Sequence, residues 1–331
     1  MSRSIIILPD DSPEPLLSAV ANARTSLRIK MFVFSDPAML EAVIAAHKRG
    51  VKVRVMLNPE RRDGEKENVA TRSHLERAGV EVRDSNPHFD LTHEKSMVVD
   101  EATAFIESLN WETRNFTETR DYAIATSHQH EVNEVAQCFD ADWDRTKFVA
   151  GNHSHLIWCT GNGRQRLCEL IDSANHTLWL QNERYQDPVI IEHVVRAWRR
   201  GVKVHVMARP PRKLKKDKLV EGVSGLRILQ DLGVPVRKLK HIKLHAKLLF
   251  ADDARAIIGS INFAPGSFDS RRELAIQVDD EPILKRIRKT LHDDWDKGRL
   301  LDLSDQALLE ELESSDPNVV EDLGIDNLKK K

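Results

Sequence analysis

The chain is written twice. Arg49-Gly50-Val51-Lys52-Val53-Arg54-Val55-Met56 returns as Arg200-Gly201-Val202-Lys203-Val204-His205-Val206-Met207, an offset of 151 residues. Asp36-Pro37 returns as Asp187-Pro188 at the same offset. Further on the offset becomes 152. It then holds for His93/His245, Lys95/Lys247, Asp100/Asp252, Ser108/Ser260, Asn110/Asn262, Arg120/Arg272, Asp121/Glu273 and Asp142-Trp143-Asp144/Asp294-Trp295-Asp296. A spacing kept over roughly 50 residues requires two copies of one structural unit. The 331 residues therefore divide into a first repeat, 1–150, a second, 151–300, and a tail, 301–331, with the periodicity interrupted at 147–154.

Each copy alternates strand and helix signals. In the first, residues 26–34 alternate apolar and polar, as a half-buried strand does. Residues 37–50 read as a helix, with Pro37 early, Met39, Leu40, Val43 and Ile44 on one face, and Gly50 as a stop. Residues 51–57 form a β-branched strand and 68–79 a helix ending at Gly79. Residues 80–83, 91–99 and 122–126 read as strands, and 128–145 as a closing helix. The second copy repeats this order over 177–181, 189–201, 202–208, 224–233, 234–238, 244–251, 254–261, 274–278 and 281–298. Strands interleaved with helices predict an α/β class, with a parallel or mixed sheet in each unit.

Composition excludes some classes. Apolar residues make up 40 %, enough for a sizeable core, and no run approaches the roughly 18 apolar residues of a membrane span. The short apolar run at the N-terminus is ended by Asp10 and Asp11, too early for a signal peptide. The expected location is the cytoplasm. Cys138, Cys159 and Cys168 form no CxxC pair and are expected as reduced thiols. The net charge of −2 hides an asymmetry: residues 301–331 carry nine acidic and three basic side chains, so residues 1–300 are at +4. That mildly basic body suits an anionic substrate without requiring nucleic acid. The leucine- and acid-rich tail reads as a short amphipathic helix followed by a frayed end.

The repeated motif carries the chemistry. With 14 His, 21 Lys and 28 Asp in the chain, His-x-Lys-x4-Asp should occur by chance roughly 0.07 times. It occurs twice, each time with Ser at +15, Asn at +17 and an acid at +28 from the His. A lone His is usually a satisfied imidazole; this constellation is not lone. On a strand, residues two apart share a face. His93 and Lys95 would then project together, as would His245 and Lys247. By the same parity Asp100 and Asp252 face elsewhere and stabilise each unit. Ser108 and Asn110, and Ser260 and Asn262, return to the reactive face.

These residue types suit transfer at phosphorus. Fixed cations and donors, here Lys95, Lys247, Asn110 and Asn262, stabilise charge on the equatorial oxygens. One neutral imidazole can attack while a second, protonated, supplies the leaving alcohol with a proton. Neither ring can do both at once, so one copy is half a site. A carboxylate on the far ring nitrogen fixes the tautomer. The equal spacing in both copies pairs Asp121 with His93 and Glu273 with His245. A metal centre is not expected, since a Lys stands two residues from each His and no HExxH or clustered Cys/His spacing occurs. No cofactor is implied.

At these residues the chain resembles the phospholipase D superfamily, the HKD phosphodiesterases. LHAKLLFADDARAIIGSINFAPGSFDSRRELAI is similar to the second motif of bacterial cardiolipin synthases and related enzymes. LTHEKSMVVDEATAFIESLNWETRNFTETRDYAI resembles the first, with Glu107 where the family has the Gly seen at Gly259, which puts a carboxylate near the pocket rim. The resemblance spans about 15–298. It implies a phospholipase D-like fold of two pseudo-symmetric α/β units with the active site at their interface. It also implies a metal-independent, two-step reaction through a phosphohistidine, with His93 attacking and His245 as the acid.

The substrate is left between classes. The resemblance favours a phospholipid, hydrolysed or transferred, with peripheral contact to a membrane. Against lipid stand an aromatic content of only 5 % and the acidic tail, which anionic lipid would repel. A nuclease of the same superfamily is the alternative. The run from Arg209 to Lys218, which includes Arg212, Lys213, Lys215 and Lys216, could follow a phosphate backbone, or bind a lipid headgroup, or be a solvated loop. A binding module that has lost catalysis would not be expected to keep every reactive group in both copies.

Overall fold

Each copy of the repeat folds into a sheet with the same strand order. The computed structural model describes residues 2–60, 64, 66–151, 155–210, 216–308 and 310, without the side chains of 216–221. The first unit runs β1 (Arg3–Leu8), α1 (Glu14–Ala21), β2 (Ser26–Met31), α2 (Pro37–Lys48), β3 (Lys52–Leu57), α3 (Val69–Arg77) and β4 (Glu81–Asp84). It continues with β5 (Leu91–Thr92), β6 (Ser96–Val99), β7 (Thr103–Glu107), α4 (Thr113–Thr117), β8 (Thr119–Thr126) and α5 (Gln129–Asp144). The second unit runs β9 (Leu156–Cys159), α6 (Gly163–Ser173), β10 (Thr177–Asn182), α7 (Pro188–Arg199), β11 (Lys203–Ala208), α8 (Lys216–Asp231) and β12 (Val236–Lys238). Then come β13 (Lys243–Leu244), β14 (Leu248–Ala251), β15 (Arg255–Gly259), α9 (Pro265–Asp269), β16 (Arg271–Val278), α10 (Glu281–Lys297) and β17 (Arg299–Leu300).

The first sheet is ordered β1-β8-β7-β6-β2-β3-β4 and the second β9-β16-β15-β14-β10-β11-β12-β17. In both, the β2/β3/β4 and β10/β11/β12 strands are parallel and the rest antiparallel, so the sheets are mixed. Identical local devices shape the two halves. The Asp36 carboxylate accepts from Met39 N at 3.0 Å and caps α2, while Asp187 does the same for Ile190 N and α7. Such a cap stabilises a helix by about 1 kcal/mol. Gly50 and Gly201, at φ +92° and +88°, turn the chain back beyond each helix into β3 and β11, a conformation only glycine takes without strain.

Three large buried clusters, with a smaller one of Met56, Phe139 and Trp143, lie among the described residues. One, with Leu16, Ile29, Val43 and Val55, lies under α1 and α2; another, with Ile171, Leu180, Ile190 and Val206, lies under α6, α7 and α8. The third is shared between the units: Ile7, Val98, Ile106, Tyr122 and Ile124 pack with Trp158, Leu248, Phe250, Ile258, Leu274 and Ile287. Apolar burial there, at about 25 cal/mol per Å², adds to the cohesion between them.

The structure corrects several expectations. The continuous strands read at 91–99 and 244–251 are each broken around the motif, because Leu91–Thr92 and Lys243–Leu244 pair with the other unit while Ser96–Val99 and Leu248–Ala251 pair with their own. Strand parity therefore does not apply across 93–95 or 245–247. The strands β1, β7 and β9 and the helices α1, α4, α6 and α9 escaped the sequence reading, although Leu16 and Val20, and Leu167, Leu170 and Ile171, fall at helical spacing. Ile5–Leu8 and β9 are buried throughout, so no alternation marks them. Beyond β17, Leu301, Leu303 and Leu308 are buried in the second unit's core. Residues 311–331 lie outside the described residues.

Candidate active site

Two short cross-unit strands build the site. β5 pairs in parallel with β16, Leu91 opposite Arg271 and Thr92 opposite Arg272. His93 N and Glu94 N then both donate to Arg272 O, at 2.9 and 3.0 Å. β13 pairs in the same way with β8, and His245 N donates to Arg120 O at 3.2 Å. Each motif histidine is thus laid on the other unit's strand, beside the acid that follows that strand's arginine.

The carboxylate partners are accordingly exchanged relative to the expected pairing. His93 Nδ1 lies 2.9 Å from Glu273 Oε2, and His245 Nδ1 lies 2.8 Å from Asp121 Oδ1. Equal spacing in both copies could not tell a partner within a copy from one across copies; the register of the two short strands decides it. The Arg pairs are crossed too. Arg120 grips Asp294 at 2.8 Å, and Arg272 grips Asp142 at 2.9 Å, all four side chains buried.

Both imidazoles open onto one cleft of about 600 Å³, lined also by Asn110, Asn262, Phe32, Glu183, Arg209 and Arg271. With each Nδ1 turned to a carboxylate, each Nε2 faces the cleft. Lys95 Nζ and Lys247 Nζ donate to the carbonyl oxygens of their own His93 and His245. Burial, then the charges of Lys95 and Lys247, hold the His93 imidazole well below its usual range. Burial and Lys247 likewise depress the Lys95 ammonium, which a bound anion would restore. The two acids differ. Burial raises Glu273 above the ordinary carboxyl range. Burial acts the same way on Asp121, but the His245 charge, its hydrogen bond, Lys247 and Ser108 outweigh it and hold that carboxyl low.

The remaining expected residues have defined places. Ser108 Oγ donates to Asp121 at 2.6 Å and accepts from Tyr122 N, while Ser260 Oγ bonds to Leu274 backbone atoms. The Oδ1 atoms of Asn110 and Asn262 are buried without a partner among the described residues, and a half-turn of either amide presents its NH2 instead. Asp100 and Asp252 sit at the far ends of β6 and β14. Asp100 accepts from the backbone N–H groups of Arg24, Thr25 and Ser26, and Asp252 from those of Asn175, His176 and Thr177. Glu107 is fully buried against Trp111 Nε1, 3.0 Å away, rather than at the pocket rim. In the second copy a Cβ on Gly259 would meet Leu274 O at 2.3 Å, so that half has no room for its equivalent. Of the basic run, Arg209 lies on the cleft wall; Arg212, Lys213 and Lys215 and the side chain of Lys216 lie outside the described residues.

Three site residues escaped the sequence reading. Asn115 Nδ2 donates to Asp121 Oδ2 at 3.1 Å and steadies that carboxylate. Glu183 places Oε2 2.9 Å from Lys247 Nζ and 3.7 Å from His245 Nε2, and its Oε1 takes Arg209 at 2.7 Å. At the 151 offset its counterpart is Phe32, whose ring lies 4.8 Å from that of His93 and 5.0 Å from Lys95 Nζ. The mismatch within the repeat was the available signal. Glu94, Cys138 and Asp142 also converge closely enough to ligate a metal, but the Lys30 ammonium stands among them, 3.0 Å from Glu94 and 2.8 Å from Asp142.

Two mixed α/β units that exchange strands and carboxylates around one cleft have the fold of the phospholipase D superfamily. The chain belongs to its phospholipase D-like family: the family model described as cardiolipin synthase, PLD-like domain, matches residues 16–143 and again 167–295. Human mitochondrial cardiolipin hydrolase is 33 % identical over 131 residues, 39 % of this chain and 50 % of that protein. Polyphosphate kinase 1 of Chlorobaculum tepidum is 25 % identical over 307 residues, 86 % of this chain and 42 % of that one. The chain thus spans about half the length of the curated relatives it matches. Phosphatidylserine synthase of Haemophilus influenzae superposes with a TM-score of 0.71 at 11 % identity, covering 98 % of this chain and 94 % of that one. Polyphosphate kinase of Porphyromonas gingivalis gives 0.66 at 18 %, covering 88 % and 50 %. At these identities the structural likeness concerns the fold alone. Among the described residues no helix is long and apolar enough to cross a membrane.

Proposed function

We propose that this chain cleaves or transfers phosphodiesters through a phosphohistidine on His93, with a phospholipid as substrate. The observation that carries the reading is the pair of imidazoles on one cleft, each held at Nδ1 by a carboxylate of the opposite unit. His93 Nε2 attacks phosphorus and the bond to the leaving oxygen breaks. His245 gives that oxygen a proton, then takes one from the incoming water or alcohol, whose oxygen displaces His93. Lys95, Lys247 and the amides of Asn110 and Asn262 stabilise the equatorial charge. Glu273 and Asp121 orient the rings. Ser108 supports Asp121, Ser260 ties β15 to β16, and Asp100 and Asp252 hold each unit's backbone.

Support for a lipid comes from the family description, cardiolipin synthase, and from relatives whose names record cardiolipin hydrolysis. Such a substrate implies contact with the membrane surface by a protein expected in the cytoplasm. One observation favours a nuclease as second reading: Arg114, Arg184, Arg209 and Lys243 all line the cleft, cations that a strand of phosphates could meet. The proposed division at 150 and 300 gives each repeat one histidine and the other repeat's carboxylate.

The test is turnover in EDTA. The panel holds phosphatidylglycerol, phosphatidylcholine and cardiolipin vesicles, labelled single- and double-stranded DNA and RNA, and polyphosphate with ADP. Headgroup release from lipid supports the proposal. Cleavage of nucleic acid alone, or phosphate transfer to ADP alone, overturns the lipid assignment. Loss of all activity in EDTA, restored by a divalent metal, overturns the metal-independent mechanism.

A further inference from the structure

The two halves of the site are equivalent at their histidines and lysines but not at the residue that follows the second strand of each repeat. After β2 this is Phe32; after β10 it is Glu183. Phe32 lays an aromatic edge against His93 and has no charge to offer its Nε2. Glu183 sets a carboxylate oxygen 3.7 Å from His245 Nε2. His245 therefore has a carboxylate near each ring nitrogen, Asp121 at Nδ1 and Glu183 at Nε2, whereas among the described residues His93 has Glu273 at Nδ1 alone.

We propose that Glu183 is a positioning residue that makes His245 the proton carrier of the site and so sets the direction of the reaction. The inference rests on the histidine mechanism proposed above and deepens it. A carboxylate beside Nε2 favours a proton on that nitrogen, where the leaving oxygen can collect it. Glu183 is held in place for this by Lys247 and Arg209, at 2.9 and 2.7 Å. Burial alone would raise its carboxyl, but the charges of Lys247, His245 and Arg209 outweigh that and keep it ionised, well below the ordinary range. In the first half, Phe32 and the depressed His93 imidazole leave a neutral ring with a lone pair towards the cleft. The proton balance is closed. His245 gives its Nε2 proton to the leaving oxygen as the P–O bond breaks, and Glu183 favours its replacement by the proton of the incoming water or alcohol.

A matched substrate pair separates this role from a structural ion pair. Short-chain phosphatidyl esters are prepared with the headgroup attached through oxygen or through sulfur at the same position. A thiolate leaves without a proton, so only the oxygen ester draws on the acid. Wild type, Glu183→Gln and Glu183→Asp are compared on both, in the full chain, with melting temperature as the control for folding. For Glu183→Gln we expect the single-turnover rate of adduct formation to fall by about 10²-fold on the oxygen ester, within the range of general acid catalysis. On the sulfur ester the fall should stay within about threefold, and Glu183→Asp should recover part of the oxygen-ester rate. An equal loss on both esters would make Glu183 a structural or phosphate-site residue and overturn the proposal, as would no loss on either. If wild type cleaves neither ester, the lipid reading fails and this inference with it. Wild-type turnover without a differential effect sinks the Glu183 role alone.

Discussion

Nδ1 of His93 lies 2.9 Å from Oε2 of Glu273, 180 residues away in the chain and in the opposite unit. The register of β5 on β16 produces that contact, and β13 on β8 produces its mirror between His245 and Asp121. Neither repeat can then orient its own histidine.

The exchanged acids should act on different groups of the first displacement, Glu273 on the attacking ring and Asp121 on the ring that protonates the leaving oxygen. Glu273→Gln should slow formation of the covalent adduct by about 10²-fold, because His93 loses its tautomer and aim. Asp121→Asn should slow release of a poor leaving alcohol by a similar factor and spare a good one. Single-turnover kinetics on an alkyl and a nitrophenyl diester would show this. Each loss should remain smaller than that of the corresponding His→Ala.

Glu107 should make stability depend on pH. Burial pushes its carboxyl up to about 8, against an unfolded value near 4.5. Between those values the folded chain keeps a proton that the unfolded chain loses. The associated stability is full below about 4.5 and is lost as pH rises through 8. Glu107→Gln, which stays uncharged, should melt close to wild type near pH 5 and above it near pH 8.5. Calorimetry or circular dichroism checks this; parallel melting curves for the two proteins at both pH values would contradict it.

Lys30 is the buried cation shared by Glu94 and Asp142. Lys30→Met strands one or both carboxylates in the core and should cost about 3–5 kcal/mol in denaturant unfolding. The corresponding Gln181 carries no charge: it donates to Asp294, which Arg120 still holds, and accepts from the Tyr122 hydroxyl at 2.8 Å. Gln181→Met should cost about 1–3 kcal/mol. Equal losses at the two positions would contradict this account of the asymmetry.

Asp100 and Asp252 should separate stability from catalysis. Asp100→Ala or Asp252→Ala unpartners three backbone N–H groups and should lower stability by about 1–3 kcal/mol. kcat at a temperature where the variant is folded should stay within about threefold of wild type. A loss of 10²-fold with full stability would return these residues to the reaction.

Much of this was legible in the residues. The repeat gave two α/β units, and the spaced His, Asn and acid are groups that the structure gathers around one cleft. Asp100 and Asp252 are clear of the cleft, though by a turn beyond β6 and β14 rather than by strand parity. What could not be read was the partnership between copies. Periodicity is a property of one segment, while the Glu273–His93 pairing depends on which sheet Leu91 and Thr92 join. Glu183 carries no repeat signal, because it stands opposite Phe32 in the other copy and matters through that difference. Glu107 was expected at the rim because a single charged residue carries no sign of its burial; the adjoining Trp111 indole, four residues on, accounts for it.

The most direct measurement is the site of the covalent adduct. The full chain in EDTA is mixed with a cleavable phosphodiester, quenched in alkali within the first turnover, and its peptides are mapped by mass spectrometry. The account predicts phosphoryl or phosphatidyl mass on His93 in wild type, its accumulation in His245→Ala with an activated substrate, and none in His93→Ala. Adduct on His245, or near-wild-type turnover in either His→Ala variant, would contradict a single site shared by the two halves in these roles.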